Sequence, residues 1–200
     1  FSWTTDILHS GGLLTGQVIN STTNQPQGDL EVTLHAFQDN VEIVTLTAQA
    51  DSDGRYTFEK LPTEHTIFYL VEGEYKDVVY VSNEPRIFTP NSSETKLDLR
   101  VYETTTSDEA ITIGQLHYIL TFIPNAVNVG QIFIVSNNGN QTFIGQNGQT
   151  FAFALPGSAT NVSFQETFPG ARFIQTDSGY ADTAPITPGA ESVSIVARYD

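Results

Sequence analysis

Hydrophobic and polar residues alternate in short runs along most of the chain, and the three-to-four-residue spacing of an amphipathic helix is almost absent. Residues 30–37, with the sequence LEVTLHAF, show the pattern well, since every second position from Leu30 to Ala36 is apolar. Clusters of Gly, Pro, Asn, Asp and Ser separate the runs, as they do between strands. The pattern predicts an all-β protein built as sandwiches or barrels.

The predicted strands in the first half of the chain are residues 13–19, 30–37, 41–48, 55–58, 66–72, 75–82, 87–90 and 96–102. Those in the second half are residues 111–123, 127–135, 142–144, 149–155, 161–164, 172–175, 179–182 and 193–199. Residues 66–82 predict a hairpin that turns around Gly73. The Asn-Gly steps at residues 138–139 and 147–148 are strong hairpin signals.

Residues 111–123 form a long apolar stretch that fits either one long strand or, through residues 113–120, a short helix. Its β-branched and aromatic residues favour the strand.

The length of 200 residues suits two domains of ordinary size. We predict two tandem β-sandwich domains: residues 11–103, a polar linker at residues 104–110, and a second sandwich-like domain at residues 111–200. Residues 1–10 precede the first domain and are apolar for a chain end, with Phe1, Trp3, Ile7 and Leu8. This segment is a candidate assembly strand, added to or exchanged with a neighbouring subunit, unless it packs on its own domain.

The charge balance excludes some partners, because 23 acidic residues face only 8 basic ones and the net charge is -15. Nucleic acid requires a basic footprint, and an anionic membrane surface would repel this chain. The acidity supports solubility, or else the binding of divalent cations or basic partners. No apolar run approaches the roughly 20 residues of a membrane span.

Cysteine and methionine are both absent, which removes disulfides, thiolate metal sites and a translation start at Phe1. We therefore expect a signal peptide or a larger region before Phe1, and an extracellular or cell-surface location. Because the last predicted strand, residues 193–199, runs to within one residue of the end, we also expect the polypeptide to continue beyond Asp200. Four Asn-x-Ser/Thr sites, at Asn20, Asn91, Asn140 and Asn161, fit exposed loops of a secreted chain and are candidate glycosylation sites.

Three motifs of the first half resemble the carboxypeptidase regulatory-like, or transthyretin-like, domain. They are GQV at residues 16–18, LEVTL at residues 30–34 and DSDGRYTFEKLP at residues 51–62. The resemblance covers roughly residues 11–102 and implies a Greek-key sandwich of seven or eight strands that acts as a stalk, spacer or surface module. The chain departs from the family pattern after Pro62, where a Gly-x-Tyr usually follows. The second half resembles more loosely an uncharacterised β-domain of exported bacterial proteins, through residues 130–143, 153–157 and 179–182.

Candidate chemistry is sparse. Asp51 and Asp53 before Gly54 are similar to the start of a calcium loop, but Pro62 stands where a closing carboxylate belongs, so a simple turn is favoured. The four histidines lack ligand spacing, and no Gly-x-Ser-x-Gly turn occurs. We predict no catalytic residue and no cofactor, with Ca²⁺ at the two aspartates as the alternative.

The sequence thus predicts a non-catalytic structural or interaction module of an extracellular assembly, such as a filament joined by strand addition to other subunits or copies. One alternative is a carbohydrate-binding module that stacks glycans on aromatic residues, for which the candidates are Trp3, Tyr69, Tyr75, Tyr80 and Tyr180. Another is the extracytoplasmic part of a membrane-anchored complex.

Overall fold

The computed structural model describes residues 11–164, 172–189 and 193–199, the last of these as backbone only. The strands are β1 (Gly12–Asn20), β2 (Gln25–Pro26), β3 (Glu31–Gln38), β4 (Val41–Gln49), β5 (Arg55–Leu61), β6 (Ile67–Tyr75), β7 (Val78–Val81), β8 (Glu94–Lys96), β9 (Leu99–Val101), β10 (Thr104–Thr105), β11 (Ile111–Ile123), β12 (Ala126–Asn137), β13 (Thr142–Phe143), β14 (Phe151–Ala154), β15 (Ser163–Phe164), β16 (Phe173–Thr176), β17 (Gly179–Asp182) and β18 (Val193–Tyr199). No helix occurs within these ranges, so the all-β prediction is confirmed.

The chain divides into two compact units, Phe1–Tyr102 and Glu103–Asp200. Residues 104–110, predicted as a linker, contain the short strand β10, which pairs with β13 of the second unit. In the described part of the chain, no helix is long and apolar enough to cross a membrane.

Residues 11–102 of the first unit form two sheets. In one, β1 pairs antiparallel with β2 and β5 and parallel with β8 and β9. The other is antiparallel, in the order β4-β3-β6-β7. Alternate residues of β1, β3 and β6 are buried, as the period of a half-buried strand requires. The fully buried side chains include Leu14, Val18, Val32, Leu34, Tyr69, Val71, Phe88, Leu99 and Val101.

Two buried tyrosines tie the loops of this unit to its core. The Tyr56 hydroxyl donates a hydrogen bond to the carbonyl of Leu97, and the Tyr69 hydroxyl donates one to the carbonyl of Pro62 at 2.6 Å. Burial raises the pKa of both tyrosines, so both hydroxyls stay protonated donors. Gly16 lies against the Tyr56 ring, where a Cβ would overlap both that ring and the Leu97 carbonyl oxygen.

The hairpin predicted around Gly73 turns elsewhere. Strand β6 continues through Gly73 to Tyr75, and the turn is made by Lys76 and Asp77, both at positive φ. Gly73 is needed for packing instead, because a Cβ there would lie 2.9 Å from the Leu99 side chain. The strand predicted at residues 87–90 is also wrong: Phe88 is a core residue in a loop, and Thr89 makes only an isolated bridge.

The second unit contains an antiparallel sheet in the order β11-β12-β18-β15, a three-stranded sheet β14-β17-β16, and the parallel pair of β10 and β13. The core between them is aromatic. Its buried members are Phe133, Val135, Phe143, Phe153 and Ile186. Phe153 makes ring contacts with Phe133, Phe164 and Phe173 at centroid distances of 5.5, 6.0 and 6.4 Å.

The hairpin predicted at Asn138 and Gly139 is wrong, because β12 and β13 do not pair with each other. The Asn137 side chain instead donates to the carbonyls of Gln141 and Ile186, both at 2.8 Å, and so holds a wider loop. Strand β12 pairs with β11 across a two-residue turn in which Asn125 has φ 67°. At the second Asn-Gly step only the tight turn is confirmed: Asn147 and Gly148 have φ 54° and 71° between bridged Gln146 and Gln149, but the flanking strands β13 and β14 do not pair with each other.

A buried ion pair joins β17 to the residue before β16. Arg172 donates to both carboxylate oxygens of Asp182, at 2.7 and 2.5 Å, and each side chain is only 2% exposed. The Ala184 N–H donates to Asp182 as well, at 3.0 Å, and the Arg172 guanidinium lies 5.0 Å from the Phe173 ring centroid. A paired and hydrogen-bonded geometry of this kind offsets the desolvation of both charges.

The packing around Gly16 yields a stability prediction. We expect Gly16→Ala to destabilise the chain by about 2–3 kcal/mol, because the added methyl group overpacks the Tyr56 site. The melting temperature in calorimetry should then fall by on the order of 10 °C. Gly11→Ala is the control, since a Cβ at Gly11 meets no atom within 4 Å. Equal melting temperatures for the two variants would contradict this packing.

Candidate functional site

Asp51 and Asp53, the candidate calcium ligands, lie in the turn between β4 and β5. One carboxylate oxygen of Asp51 accepts hydrogen bonds from the backbone N–H groups of Asp53 and Arg55, at 2.9 and 2.8 Å. Gly54 has φ 73° and donates to the Asp51 carbonyl at 2.9 Å. The Asp51 side chain therefore closes the turn. Within the described residues, no three His, Asp or Glu side chains are grouped as metal ligands would be.

The described histidines lie apart from one another. His35 on β3 contacts Glu42 on β4 at 2.5 Å and Glu72 on β6 at 3.5 Å. Hydrogen bonds from His35 and Thr45 lower the pKa of Glu42. His65 contacts the Phe88 carbonyl at 3.0 Å, and His117 contacts the Gln115 side chain at 3.0 Å. This arrangement is typical of cross-strand and loop contacts rather than of a shared site.

Three of the four candidate glycosylation sites, Asn91, Asn140 and Asn161, are exposed. The expectation of an exposed loop fails for Asn20, which is only 3% exposed. Its side-chain oxygen accepts hydrogen bonds from the N–H groups of Thr22 and Thr23, at 3.1 and 3.2 Å. A glycan at Asn20 would require this turn to open.

The aromatic candidates for a glycan platform are not gathered on one surface. Tyr69 and Tyr80 are core residues, at 0% and 4% exposure, and Tyr75 and Tyr180 are half-buried. Phe1, Trp3, Ile7 and Leu8, the predicted assembly strand, lie outside the described residues.

Strand β11 carries most of the large apolar side chains that the described residues expose. Seven of the twelve exposed large hydrophobic side chains belong to it: Ile113, Leu116, Tyr118, Ile119, Leu120, Phe122 and Ile123. It is the end strand of its sheet, paired only with β12 in the described part of the chain. It contains 13 residues and no Asp, Glu, Lys or Arg, and residues 110–165 as a whole contain none.

Residues directly opposite in an antiparallel pair share one face of the sheet, so the register of β11 and β12 divides the exposed side chains between two faces. Leu116 lies opposite the core residue Phe133, and Ile113 lies opposite the core residue Val135. A bulge at Gly114 keeps both on the core side. The inward-facing exposed residues are Ile113, Leu116, Tyr118, Leu120 and Phe122, which we call the apolar face of β11.

The opposite face of the same strand has a mixed character. It presents Gln115, His117, Ile119, Thr121 and Ile123. The contrast follows the usual alternation of a strand that is buried on one side, yet the five residues of the apolar face are 44% to 80% exposed. The sequence predicted the strand but not that its inward face lacks a cover in the described structure.

A cleft of about 560 Å³ lies at the beginning of β11 and falls in the size range of small-ligand sites. Its apolar wall includes Ile111, Ile113 and Phe151. Its polar lining is rich in amides and hydroxyls, from Thr106, Asp108, Gln146, Asn147, Gln149 and Thr150.

The chain matches no protein-family model and no curated protein sequence. The carboxypeptidase regulatory-like resemblance of the first half therefore remains a prediction. Among solved structures, the chain is similar to the full-length major pilin SpaD from Corynebacterium diphtheriae, at 10% identity and a TM-score of 0.37 over 100% of this chain. It is also similar to a protein from Bacteroides uniformis for which carbohydrate binding has been suggested, at 12% identity and a TM-score of 0.33 over 66% of this chain.

The matched regions span little more than half of those two proteins, 58% and 56% of their lengths. At these TM-scores the likeness is too slight to define a shared fold. The functional argument consequently depends on the chain's own residues.

The Asp51 turn yields a test of the calcium alternative. We expect Asp51→Ala to lower the free energy of unfolding by about 1 kcal/mol, because two N–H groups lose their acceptor. Asp53→Ala is the control, since Asp53 enters the turn's hydrogen bonds through its backbone. Calcium should leave the melting temperature of both variants and of the parent unchanged. A calcium-dependent rise in the parent that both variants lose would establish a metal site instead.

Proposed function

We propose that this chain is a non-catalytic structural or interaction module of an extracellular or cell-surface assembly, joined to its neighbours by strand addition. The observation that carries the proposal is that β11 is a long, uncharged strand whose outer edge pairs with no other strand of the described structure. In strand addition, main-chain hydrogen bonds to such an edge supply affinity, and alternate side chains supply specificity.

The edge of β11 has few of the features that prevent unwanted pairing. Soluble proteins protect edge strands with charged side chains, proline, bulges or short length. The two edge strands of the β4-β3-β6-β7 sheet in the first unit have such protection. Strand β7 has only four residues and directly follows Lys76 and Asp77, and strand β4 contains the charged residue Glu42. Strand β11 has 13 residues without a charge or a proline, and its one bulge lies near its beginning, at Gly114. This contrast supports a role for β11 as an acceptor.

Residues 1–10 are the candidate donor. Their sequence, FSWTTDILHS, places Phe1, Trp3 and Ile7 on one face of a strand. Asp6 and Leu8 fall on the other face, which is otherwise Ser and Thr. Ten extended residues span roughly 34 Å, which fits within the roughly 44 Å of a 13-residue strand. Beside β11, the apolar face of the donor would continue the apolar face of the acceptor. A donor and an acceptor on different parts of one chain generate open, head-to-tail assemblies such as filaments.

A carbohydrate-binding module is the second candidate, and the cleft beside Phe151 is the observation that favours it. Amide and hydroxyl side chains can hydrogen-bond sugar hydroxyl groups, while Ile113 and Phe151 offer an apolar wall. A glycan array with the purified chain tests this candidate, and binding that Gln149→Ala abolishes would support it. The third alternative, the extracytoplasmic part of a membrane-anchored complex, is decided by whether the full gene encodes a hydrophobic anchor.

Removal of residues 1–10 tests strand addition. We expect the shortened chain to unfold at the same temperature as the parent but to lose its largest assemblies in light scattering and electron microscopy. A synthetic peptide of residues 1–10 should bind the shortened chain, and the same peptide with Trp3→Asp and Ile7→Asp should not. Unchanged assembly after the deletion would refute the role of this segment.

A further inference from the structure

The apolar face of β11 has a property that an open edge alone does not explain. Strand addition pairs backbone groups along the edge of a sheet, but it does not cover either face of the sheet. The five side chains of the apolar face point to the side on which Phe133 and Val135 are buried, yet they are 44% to 80% exposed. They need a cover that lies over the sheet.

We propose that a second copy of this chain supplies the cover, by packing its own apolar face of β11 against the first in a symmetric, face-to-face dimer. This inference deepens the proposed function and rests on it, because it takes the chain to be a subunit of an assembly. Two sheets that pack in this way lie about 10 Å apart and interdigitate their side chains. Because the same patch is used on both copies, the contact closes on itself as a twofold dimer.

The charge distribution favours a second copy over a basic partner. The chain carries a net charge of -15, so two copies repel each other wherever their carboxylates come close. Residues 110–165 contain no Asp, Glu, Lys or Arg, and the apolar face lies wholly within them. A basic partner would gain nothing from this face, since it has no carboxylate to pair with. A like-charged copy can approach it without placing two acids in contact.

The size of the apolar face is sufficient for a dimer. A fully exposed large aromatic residue presents roughly 200 Å², so five large apolar residues at a little over half exposure offer about 600 Å² per copy. Two copies then bury about 1,200 Å², at the lower end of specific and stable interfaces. The neighbouring half-buried residues Val127 and Val129, opposite Phe122 and Leu120, extend the same face.

The chain's own undescribed segments are weaker candidates for the cover. Residues 165–171 have the sequence QETFPGA, with one large apolar side chain and one charge. Residues 190–192 have the sequence AES, with no large apolar side chain and one charge. Residues 1–10 have enough apolar side chains to cover the face from within the same chain, and this is a distinct outcome of the test.

Adjacent residues of β11 provide a matched pair of variants. Leu120 and Ile119 are 54% and 56% exposed, on the same strand, but only Leu120 belongs to the apolar face. We expect Leu120→Glu to weaken dimerisation at least tenfold in sedimentation equilibrium, because a carboxylate then meets the partner's apolar face. We expect Ile119→Glu to change it less than threefold. Dimerisation of the parent should strengthen between 50 and 500 mM salt, since salt screens the repulsion between acidic copies.

Four results would overturn the inference. The first is a parent chain that stays monomeric at all accessible concentrations. The second is equal weakening by Leu120→Glu and Ile119→Glu, which would point to edge pairing instead. The third is dimerisation only after residues 1–10 are removed, which would mean that this segment covers the face within its own chain. The fourth is binding of the parent, and not of Leu120→Glu, to phosphatidylcholine vesicles in place of dimerisation.

The same experiment separates this inference from the proposed function. If the face-to-face dimer is absent but the peptide of residues 1–10 still binds, strand addition stands and only the face-to-face contact is refuted. If the dimer forms but the peptide does not bind, the dimer stands and strand addition is refuted. Circular dichroism of each variant checks that the β fold is retained.

Discussion

The burial of apolar side chains on one side of a single sheet is the constraint on which the second unit depends. The core residues Phe133 and Val135 are covered, but within the described part of the chain the apolar side chains beside them on β11 are not, so this sheet is only partly buried there. About 600 Å² of exposed apolar surface corresponds to on the order of 15 kcal/mol at about 25 cal/mol per Å². That is as large as the whole stability of many domains. Covering this surface with another layer removes it from water and so lowers the free energy of the chain. The exposed face of the sheet therefore favours association.

The two units differ in this respect. In the first, the alternating residues of β1, β3 and β6 are buried, and among residues 11–102 the exposed large hydrophobic side chains are the scattered Val41, Val79, Val81 and Ile87. Isolated residues of that kind are normal on protein surfaces. Six of the eight basic residues and 15 of the 23 acidic residues also lie before Glu103, in this unit, whereas residues 110–165 contain no Asp, Glu, Lys or Arg. Large apolar side chains are thus only scattered over the described surface of the first unit, whereas the second unit presents the apolar face of β11, on which our account of association depends.

Local pattern was sufficient to predict β3 from its strong alternation, β11 from its β-branched and aromatic residues, and the tight turn at Asn147 and Gly148. Local pattern was insufficient where the role of a residue is set by contacts with residues far away in the sequence. Gly73 resembles a turn residue in the sequence but lies within β6 against Leu99, and Asn138-Gly139 belongs to a loop held by Asn137. The Arg172–Asp182 pair joins two residues whose proximity no short motif signals. Alternation shows which side of β11 is apolar, but it contains no information on whether a second layer covers that side.

Hydroxyl-radical footprinting across a dilution series tests the central claim most directly, because it reports side-chain exposure in the unmodified chain. The account predicts that oxidation of Tyr118 and Phe122 falls as concentration rises, in step with the formation of dimers. Ile87 of the first unit, which is 49% exposed, should be oxidised at a constant rate. Oxidation of Tyr118 and Phe122 at the same rate in monomer and assembly would contradict the account, since the apolar face would then stay open to water.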